Sequence, residues 1–599
     1  MSSRKISTIR KRAVPLFILF LIAYAVVIGR LAYIQFIRND EYREWATKIR
    51  FRDNAIRASR GSIYDRNGRP LAISIEAASI YVNRREVSDT ATTSYQVASL
   101  IAGDAERIQA EIEGHKTIAW IAKKVHPSLG DAVSKGYPVL KNGKQCHLRL
   151  PGVGVAKDTK RVYPAGSVGA NILGFVDFEN KGLEGAESVL DGVLTGMDGL
   201  ERVELDARRR VIPETRRRVR QPENGRDVFL TIDTNIQHVA EQALARMADK
   251  YHPTSACAVV MDPNTGEVLA LANYPSFDPN NPRAKPSSNW RNRAVADLYE
   301  PGSTLKVVTV AAGLNEGLNP HVPVVYCKGR ERIRGGGIPC SLHHPFENGH
   351  GAADMYRIIE ASCNIGAAHI AMRLGAEKLR GYEKAFGLLE RPNAGFGCES
   401  VGYLTPAKDW PLIQLADIGF GQGIAVSPLQ MACVYSTIAN GGTYVQPRVI
   451  REIKNSDGTV CRAFKPKPLR RVISKAAAEE LTRMMVGCVE DGTGKTAQID
   501  GRTVAGKTGS AQMAKANGRG YESGAFVASF MGFAPAYKPR LTIAVVVTKP
   551  QGSHWGATVA APVFQEIGEK ALWYLRVPAD APTKQEEKRK PRTDVKRLA

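Results

Sequence analysis

From Ala13 to Gly29 the chain carries no charged residue, and after Arg30 the apolar pattern resumes as Leu31-Ala-Tyr-Ile-Gln-Phe-Ile37. As a helix these about 25 residues extend roughly 37 Å, enough to cross a bilayer. This segment constrains the chain first, because it separates what precedes it from everything that follows. Arg4, Lys5, Arg10, Lys11 and Arg12 stand before it. The positive-inside rule therefore predicts a cytoplasmic tail over 1–12, an anchor over 13–37 and an extracytoplasmic remainder, with Arg30 snorkelling to the outer interface. A cleaved signal peptide, suggested by Ala23-Tyr24-Ala25, and a buried core helix are the competing readings. The anchor is preferred because the apolar run continues past that triplet and begins after a basic cluster.

The remaining length exceeds what one hydrophobic core serves, so more than one domain is expected in the 599 residues. The net charge of +24 suggests nucleic acid. Five of those charges precede the anchor, however, and the tail Lys584 to Ala599 carries seven basic against three acidic residues. Arg208-Arg209-Arg210 and Arg216-Arg217-Arg218 sit among prolines and acids without stacking aromatics, so they read as solvated and no nucleic-acid partner is expected. An envelope protein beside anionic lipid and polymer accommodates such charge. The nine cysteines are spread singly, with no C-x-x-C pair, which argues against zinc. Outside the membrane a disulfide becomes possible. Cys327 with Cys340, flanking Arg334-Gly-Gly-Gly337, is the best-placed pair, with two free thiols as the alternative.

After the anchor, Asp40 to Arg57 reads as a polar helical stalk, and Arg60 to Gly68 as a strand running into an Asn-Gly turn. A mixed α/β region continues to about Gly225, giving a non-catalytic module over 38–225. It includes Arg161-Val-Tyr-Pro164 and Leu183-Glu-Gly-Ala-Glu187 but no convergent nucleophile and base. A second domain is predicted over 226–577. Val228 to Ile232 reads as a strand, Asn235 to Lys250 as a helix, and Ala256 to Met261 with Glu267 to Leu271 as a hairpin across Asp262-Pro-Asn-Thr-Gly266. A long helical stretch follows. Strands return in Thr503 to Gln512, Ala525 to Gly532 and Leu541 to Lys549, before a helix from Val563 to Leu575. Strands at both ends with helices between predict an α+β domain whose antiparallel sheet is completed from both termini. The tail 578–599 has only Val595 and Leu598 as large apolar residues among many charges and is expected to be disordered.

The chemistry begins at Glu300-Pro-Gly-Ser-Thr-Leu-Lys306. Pro301-Gly302 breaks the chain and a helical run follows, so Ser303 falls at a helix N-terminus with Lys306 one turn along on the same face. A serine hydroxyl is a weak nucleophile and an ammonium is no base. A desolvated lysine has a depressed pKa and can accept the serine proton, and backbone N–H groups at the helix start can hold an oxyanion. S-x-x-K alone is a weak signal: it recurs at Ser2 to Lys5, and a helix cap beside a surface lysine would look the same. Downstream lie Ser362-Cys363-Asn364, between helical segments, and Lys507-Thr508-Gly509, which occurs once. Another S-x-N, Ser287 to Asn289, precedes Ser303 and so breaks the order nucleophile, S-x-N, K-T-G.

The last motif is ambiguous as written. Gly501-Arg-Thr-Val-Ala-Gly-Lys-Thr-Gly-Ser510 also matches the phosphate-binding pattern G-x-x-x-x-G-K-[ST]. That loop should join a strand to a helix, whereas the residues after Gly509 look like more strand. Gly509 would let substrate backbone lie against this strand, while Lys507, Thr508 and Ser510 offer a cation and hydroxyls to a carboxylate. Gly419-Phe-Gly-Gln-Gly423 lacks the spacing of a dinucleotide fingerprint and reads as close packing before a helix beginning at Pro428.

With these three motifs in order, the chain resembles the class B penicillin-binding proteins over almost its whole length, and within them most resembles the septal, cell-division peptidoglycan D,D-transpeptidases. Arg60 to Gly68, Asn292 to Lys306, Gly421-Gln-Gly with Ser427-Pro-Leu-Gln430, and Ala560-Ala-Pro-Val-Phe564 support the likeness. It implies an α+β chain with one N-terminal transmembrane helix, a mixed α/β pedestal or dimerisation domain, and a transpeptidase domain built on a five-stranded antiparallel sheet flanked by helices. In that family pattern Ser303 attacks the penultimate D-alanine carbonyl of a stem peptide, with Lys306 as base. Ser362 relays the proton to the leaving amine, and Asn364 holds the substrate amide and Lys306. Lys507, Thr508 and Ser510 bind the terminal carboxylate, Gly509 lets the substrate backbone lie against the strand, and the N–H groups of Ser303 and Ser510 form the oxyanion hole. The resemblance implies no cofactor and no metal. Its implied partners are peptidoglycan stem peptides, β-lactams, the membrane, a polytopic glycan polymerase and other division proteins. Cys363 stands where the S-x-N pattern often has Asp. An elongation-type transpeptidase, a D,D-carboxypeptidase and, from a different class, an inactive division scaffold are the rival readings. A β-lactamase would need an E-x-x-L-N segment after Ser362, and none follows.

Overall fold

The computed structural model describes residues 3–141, 144–206, 211–340, 349–515 and 520–583. These form two compact units, one of residues 1–59 with 196–224 and one of 60–195 with 225–599.

In the first unit the helix Ser3–Ala32 ends in one wide turn, Tyr33–Ile37. Among the described residues, Arg10–Ile37 is the one helical stretch long and apolar enough to span a membrane, and its side chains are exposed. The stalk departs from expectation. Its helix stops at Arg50, and Phe51–Ile56 is a strand. It pairs antiparallel with Gly199–Leu205, which pairs in turn with Val211–Arg220. The Arg202 guanidinium grips Asp53 with both nitrogens, at 2.7 and 2.9 Å. Polar composition favours a helix over 51–57, but a partner segment some 150 residues away satisfies the backbone as a ladder instead. Arg216–Arg218 lie exposed on the last strand; Arg208–Arg210 fall outside the described residues.

In the second unit a seven-stranded sheet runs in the order 460–463, 450–454, 227–230, 63–64, 70–83, 118–125, with 153–162 also on 70–83. The strand Asp227–Leu230 therefore does not join the catalytic-type sheet. It pairs parallel to Ile63–Tyr64 and antiparallel to Ile450–Lys454, so this sheet draws strands from both sides of residue 225. Beside it, three segments singled out in the sequence converge on one buried ion network. Glu187 accepts from Arg60 at 2.7 Å and from Arg161 at 2.7 Å, and Arg60 also reaches Asp191 at 2.7 Å. Arg60, Arg161 and Glu187 are almost fully buried. Buried charges persist only when paired in this way.

The second sheet is antiparallel and five-stranded, in the order 268–274, 255–261, 541–548, 521–534, 505–514. Its inner strands are buried on both faces and read as continuous apolar runs rather than alternating ones. Alternation still sorts them into two cores. Ala256, Ala258, Val260, Ile543, Val545 and Val547 pack with the helices Thr234–Tyr251 and Ala561–Tyr574. Cys257, Val259, Ala544 and Val546 face the central helices, among them Pro428–Ala439. That last helix starts where the sequence places it: Ser427 and Gln430 form a reciprocal capping box, with Pro428 at the first turn. Sheet, flanking helices and the N-terminal apolar helix make the chain α+β, as expected.

At the C-terminal end the Asp580 carboxylate accepts the Thr503 N–H at 2.9 Å. Lys584–Ala599 lie outside the described residues. No disulfide joins Cys327 to Cys340; the Cys327 thiol lies instead 3.7 Å from His350 Nδ1.

Candidate active site

Ser303 stands on a single 3-10 turn, Gly302–Leu305, that leads directly into the helix Lys306–Asn315. Gly302 adopts φ +54°, and its N–H bonds the Gly421 carbonyl at 2.9 Å. Gly421, at φ +90°, could not carry a side chain, because a Cβ would sit 2.1 Å from the Gly302 oxygen. The Gly419–Gly423 segment is thus the seat of the turn that carries Ser303. Behind it Tyr435, fully buried, donates to the Thr304 carbonyl at 2.9 Å, and Thr309 donates to Gly419 at 2.8 Å.

Lys306 is completely buried, and its Nζ has four oxygen neighbours. Ser303 Oγ and Ser362 Oγ each lie at 3.1 Å, Asn364 Oδ1 at 2.6 Å, and the Ser362 carbonyl is in close contact. The Asn364 amide is oriented by its other end, which donates to the Pro339 carbonyl at 3.2 Å. Two of the four neighbours are therefore carbonyl-type oxygens that can only accept. A neutral amine has two N–H bonds and one lone pair. Giving the two hydrogens to Asn364 and the Ser362 carbonyl leaves the lone pair facing the two hydroxyls. Burial, and then the Lys507 charge, drive the Lys306 pKa well below that of a free lysine. The Lys306 amine thus lies within hydrogen-bond reach of Ser303 in a setting that favours its unprotonated form. Ser362 pays for its position in backbone terms, holding φ +59° in the left-handed region.

Lys507-Thr508-Gly509 lies in the edge strand Ala505–Ala514, which continues past Ser510 as strand. No strand-to-helix phosphate loop exists there, and Gly501 sits in a separate turn at φ +68°. Lys507 is fully buried, its pKa lowered by burial, and its Nζ donates to the Thr508 carbonyl at 3.2 Å. Thr508 Oγ1 is held 2.8 Å from Thr493 Oγ1. Ser510 Oγ accepts the Gly556 N–H at 3.0 Å. A Cβ on Gly509 would meet Ser529 Oγ at 2.5 Å and Thr304 Cγ2 at 2.9 Å. The missing side chain therefore seats the edge strand on the nucleophile turn, a role that local sequence does not reveal. Substituting Gly509 with valine is expected to cost about 1–3 kcal/mol by overpacking and to slow acylation by displacing the turn. Denaturant unfolding and acylation kinetics measure the two effects.

All three motifs thus meet as the sequence order implies. Sequence reasoning missed Thr493 and Tyr435, whose roles depend on long-range contact, and it missed Glu300. The Glu300 carboxylate, just before the nucleophile turn, accepts the Gly423 N–H at 3.1 Å, and burial raises its pKa. Nearby Asp417 is pushed up to about 6 by burial.

A serine, a buried lysine, an S-x-N turn and a K-T-G edge strand on this sheet define a serine acyl-transfer enzyme of the penicillin-recognising class. The chain belongs to the penicillin-binding protein family, class B: residues 256–569 match the penicillin binding protein transpeptidase domain and residues 55–230 the penicillin-binding protein dimerisation domain. Among its relatives are stage V sporulation protein D of Bacillus subtilis, 33% identical over 95% of this chain and 86% of that protein, and the peptidoglycan D,D-transpeptidase FtsI of Escherichia coli, 31% identical over 94% and 92%. Penicillin-binding protein 3 of Mycobacterium tuberculosis, solved with aztreonam, superposes with a TM-score of 0.67 at 27% identity, covering 88% of this chain and 99% of that one. The chain is a peptidoglycan D,D-transpeptidase of the penicillin-binding serine enzymes.

Proposed function

We propose that this transpeptidase cross-links stem peptides during septal cell-wall synthesis, anchored by residues 13–37 with its catalytic domain on the extracytoplasmic side. The observation that carries the chemistry is the Lys306 amine, buried and 3.1 Å from Ser303 Oγ. Ser303 Oγ attacks the carbonyl of the penultimate D-alanine and gives its proton to Lys306 Nζ. The N–H groups of Ser303 and Ser510 hold the oxyanion. Collapse of the tetrahedral intermediate returns a proton, through Ser362 Oγ, to the nitrogen of the departing D-alanine. Asn364 keeps Lys306 in place and receives the substrate amide, while Lys507, Thr508 and Ser510 bind the terminal carboxylate. An amine from a neighbouring stem peptide then attacks the Ser303 ester and completes the cross-link. A β-lactam acylates the same oxygen.

The septal role is supported by FtsI among the relatives and by the segment Asn292 to Lys306. A polytopic glycan polymerase and other division proteins are the proposed partners. Depleting the protein in its host is expected to give filaments without septa. Rounded cells would assign it to elongation, and normal growth with defective spores would align it with the sporulation relative. With a pentapeptide donor and an acceptor amine, a cross-linked dimer is expected; release of D-alanine alone would mark a carboxypeptidase.

A further inference from the structure

Beside the S-x-N turn, three potential metal ligands converge from separate parts of the chain. The ligand atoms of Cys327, His350 and Cys363 all lie within 4.8 Å of one another. Cys327 Sγ and His350 Nδ1 are 3.7 Å apart, close to the separation of two ligands on one tetrahedral zinc ion (Zn–S about 2.3 Å, Zn–N about 2.0 Å). Both thiols are fully buried and the imidazole is partly buried.

The backbone is built to bring them together. Cys327 ends the strand Val325–Cys327, which pairs antiparallel with Gly351–Ala353 in the register Cys327 to Gly351. His350 directly precedes that partner. It is flanked by Gly349 and Gly351, both at positive φ, +65° and +70°. A Cβ on Gly349 would lie 2.1 Å from the Cys327 carbonyl oxygen, so only glycine permits this close pass. Cys363 arrives from the other side as the N-cap of the helix Asn364–Leu374, between Ser362 and Asn364. No residue of the acyl-transfer reaction explains why two thiols and an imidazole should share one place.

We propose that Cys327, His350 and Cys363 form a binding site for a zinc-class divalent cation, with a solvent oxygen in the fourth position. Both thiols release their protons to solvent on binding. Two thiolates against one dication leave the site near neutral, which suits its buried position and the neighbouring lysines. The ion ties the Cys327–Gly351 ladder to the S-x-N turn, so its role toward Lys306 is positioning. The absence of a C-x-x-C pair hides such a site in the sequence, because its ligands are widely spaced and meet only through the fold.

The test uses the full-length, detergent-solubilised, reduced protein titrated with Co²⁺ in place of zinc, a readout independent of acyl transfer. One equivalent should bind, with a thiolate-to-cobalt charge-transfer band and release of protons. Cys327→Ser and His350→Gln should each lose that band or weaken binding roughly 100-fold. Cys461→Ser, on the exposed strand Val460–Ala463, should bind as the unsubstituted protein does. Circular dichroism and cooperative thermal unfolding verify that each variant is folded, and His350→Gln carries the test if Cys327→Ser does not fold. Absence of a thiolate–cobalt band in the unsubstituted protein overturns the proposal, as does a band that survives in folded His350→Gln.

Discussion

Replacing Lys306 with glutamine is expected to slow acylation of the protein by about 10³-fold or more, a loss of about 4 kcal/mol of transition-state stabilisation. The magnitude follows from what the lysine supplies. An ordinary lysine, with a pKa near 10.4, is neutral in only about one molecule in 10³ at neutral pH. Burial of Lys306, with Lys507 nearby, shifts its equilibrium far toward the neutral form. In that neutral form, giving its two hydrogens to the two carbonyl oxygens leaves the lone pair toward Ser303 and Ser362. Glutamine keeps much of the volume and can still donate, but it accepts no proton. The pH profile separates this account from simple disruption. The base works only unprotonated, so acylation should rise with pH through the depressed Lys306 pKa and fall as pH drops below it. The glutamine variant should lose that limb while keeping its fold. A variant that is slow yet retains the same limb would place the titrating base elsewhere.

Ser303→Ala carries the second large effect: covalent labelling by a fluorescent penicillin should fall to background. The substitution removes one oxygen from a turn whose shape is set by other groups. Gly302 bonds Gly421, Tyr435 bonds Thr304, and Gly509 packs on Thr304. Stability should therefore change little, within about 0.5–1 kcal/mol, while the covalent step disappears. Non-covalent affinity for a β-lactam should persist through Lys507, Thr508 and Ser510. A loss of folding together with labelling would mean that Ser303 supports the turn rather than reacts from it.

What the sequence made legible was local or ordered along the chain. The uncharged run from Ala13 to Gly29 marked the apolar helix, and the order of the three motifs marked the site. The strand character beyond Gly509 distinguished an edge strand from a phosphate loop. What stayed hidden depended on partners far away in the chain. The strand Phe51–Ile56 exists because Gly199–Leu205 lies beside it, and Asp227–Leu230 enters the other sheet because Ile63–Tyr64 and Ile450–Lys454 receive it. The role of Glu187 emerges only where Arg60 and Arg161 close on it in the interior. The same holds at the site. Thr493 is ordinary in sequence and becomes relevant only 2.8 Å from Thr508, and the reason for Gly509 lies in Ser529 and Thr304 rather than in its own neighbours.

The most direct test of the central claim is to locate the covalent bond. The purified protein is treated with a β-lactam, weighed intact and digested, and the modified peptide is sequenced by mass spectrometry. One adduct per chain is predicted, on Ser303 within Glu300-Pro-Gly-Ser-Thr-Leu-Lys306, and none in Ser303→Ala. An adduct on any other residue, or stoichiometric acylation that persists in Ser303→Ala, would contradict the account.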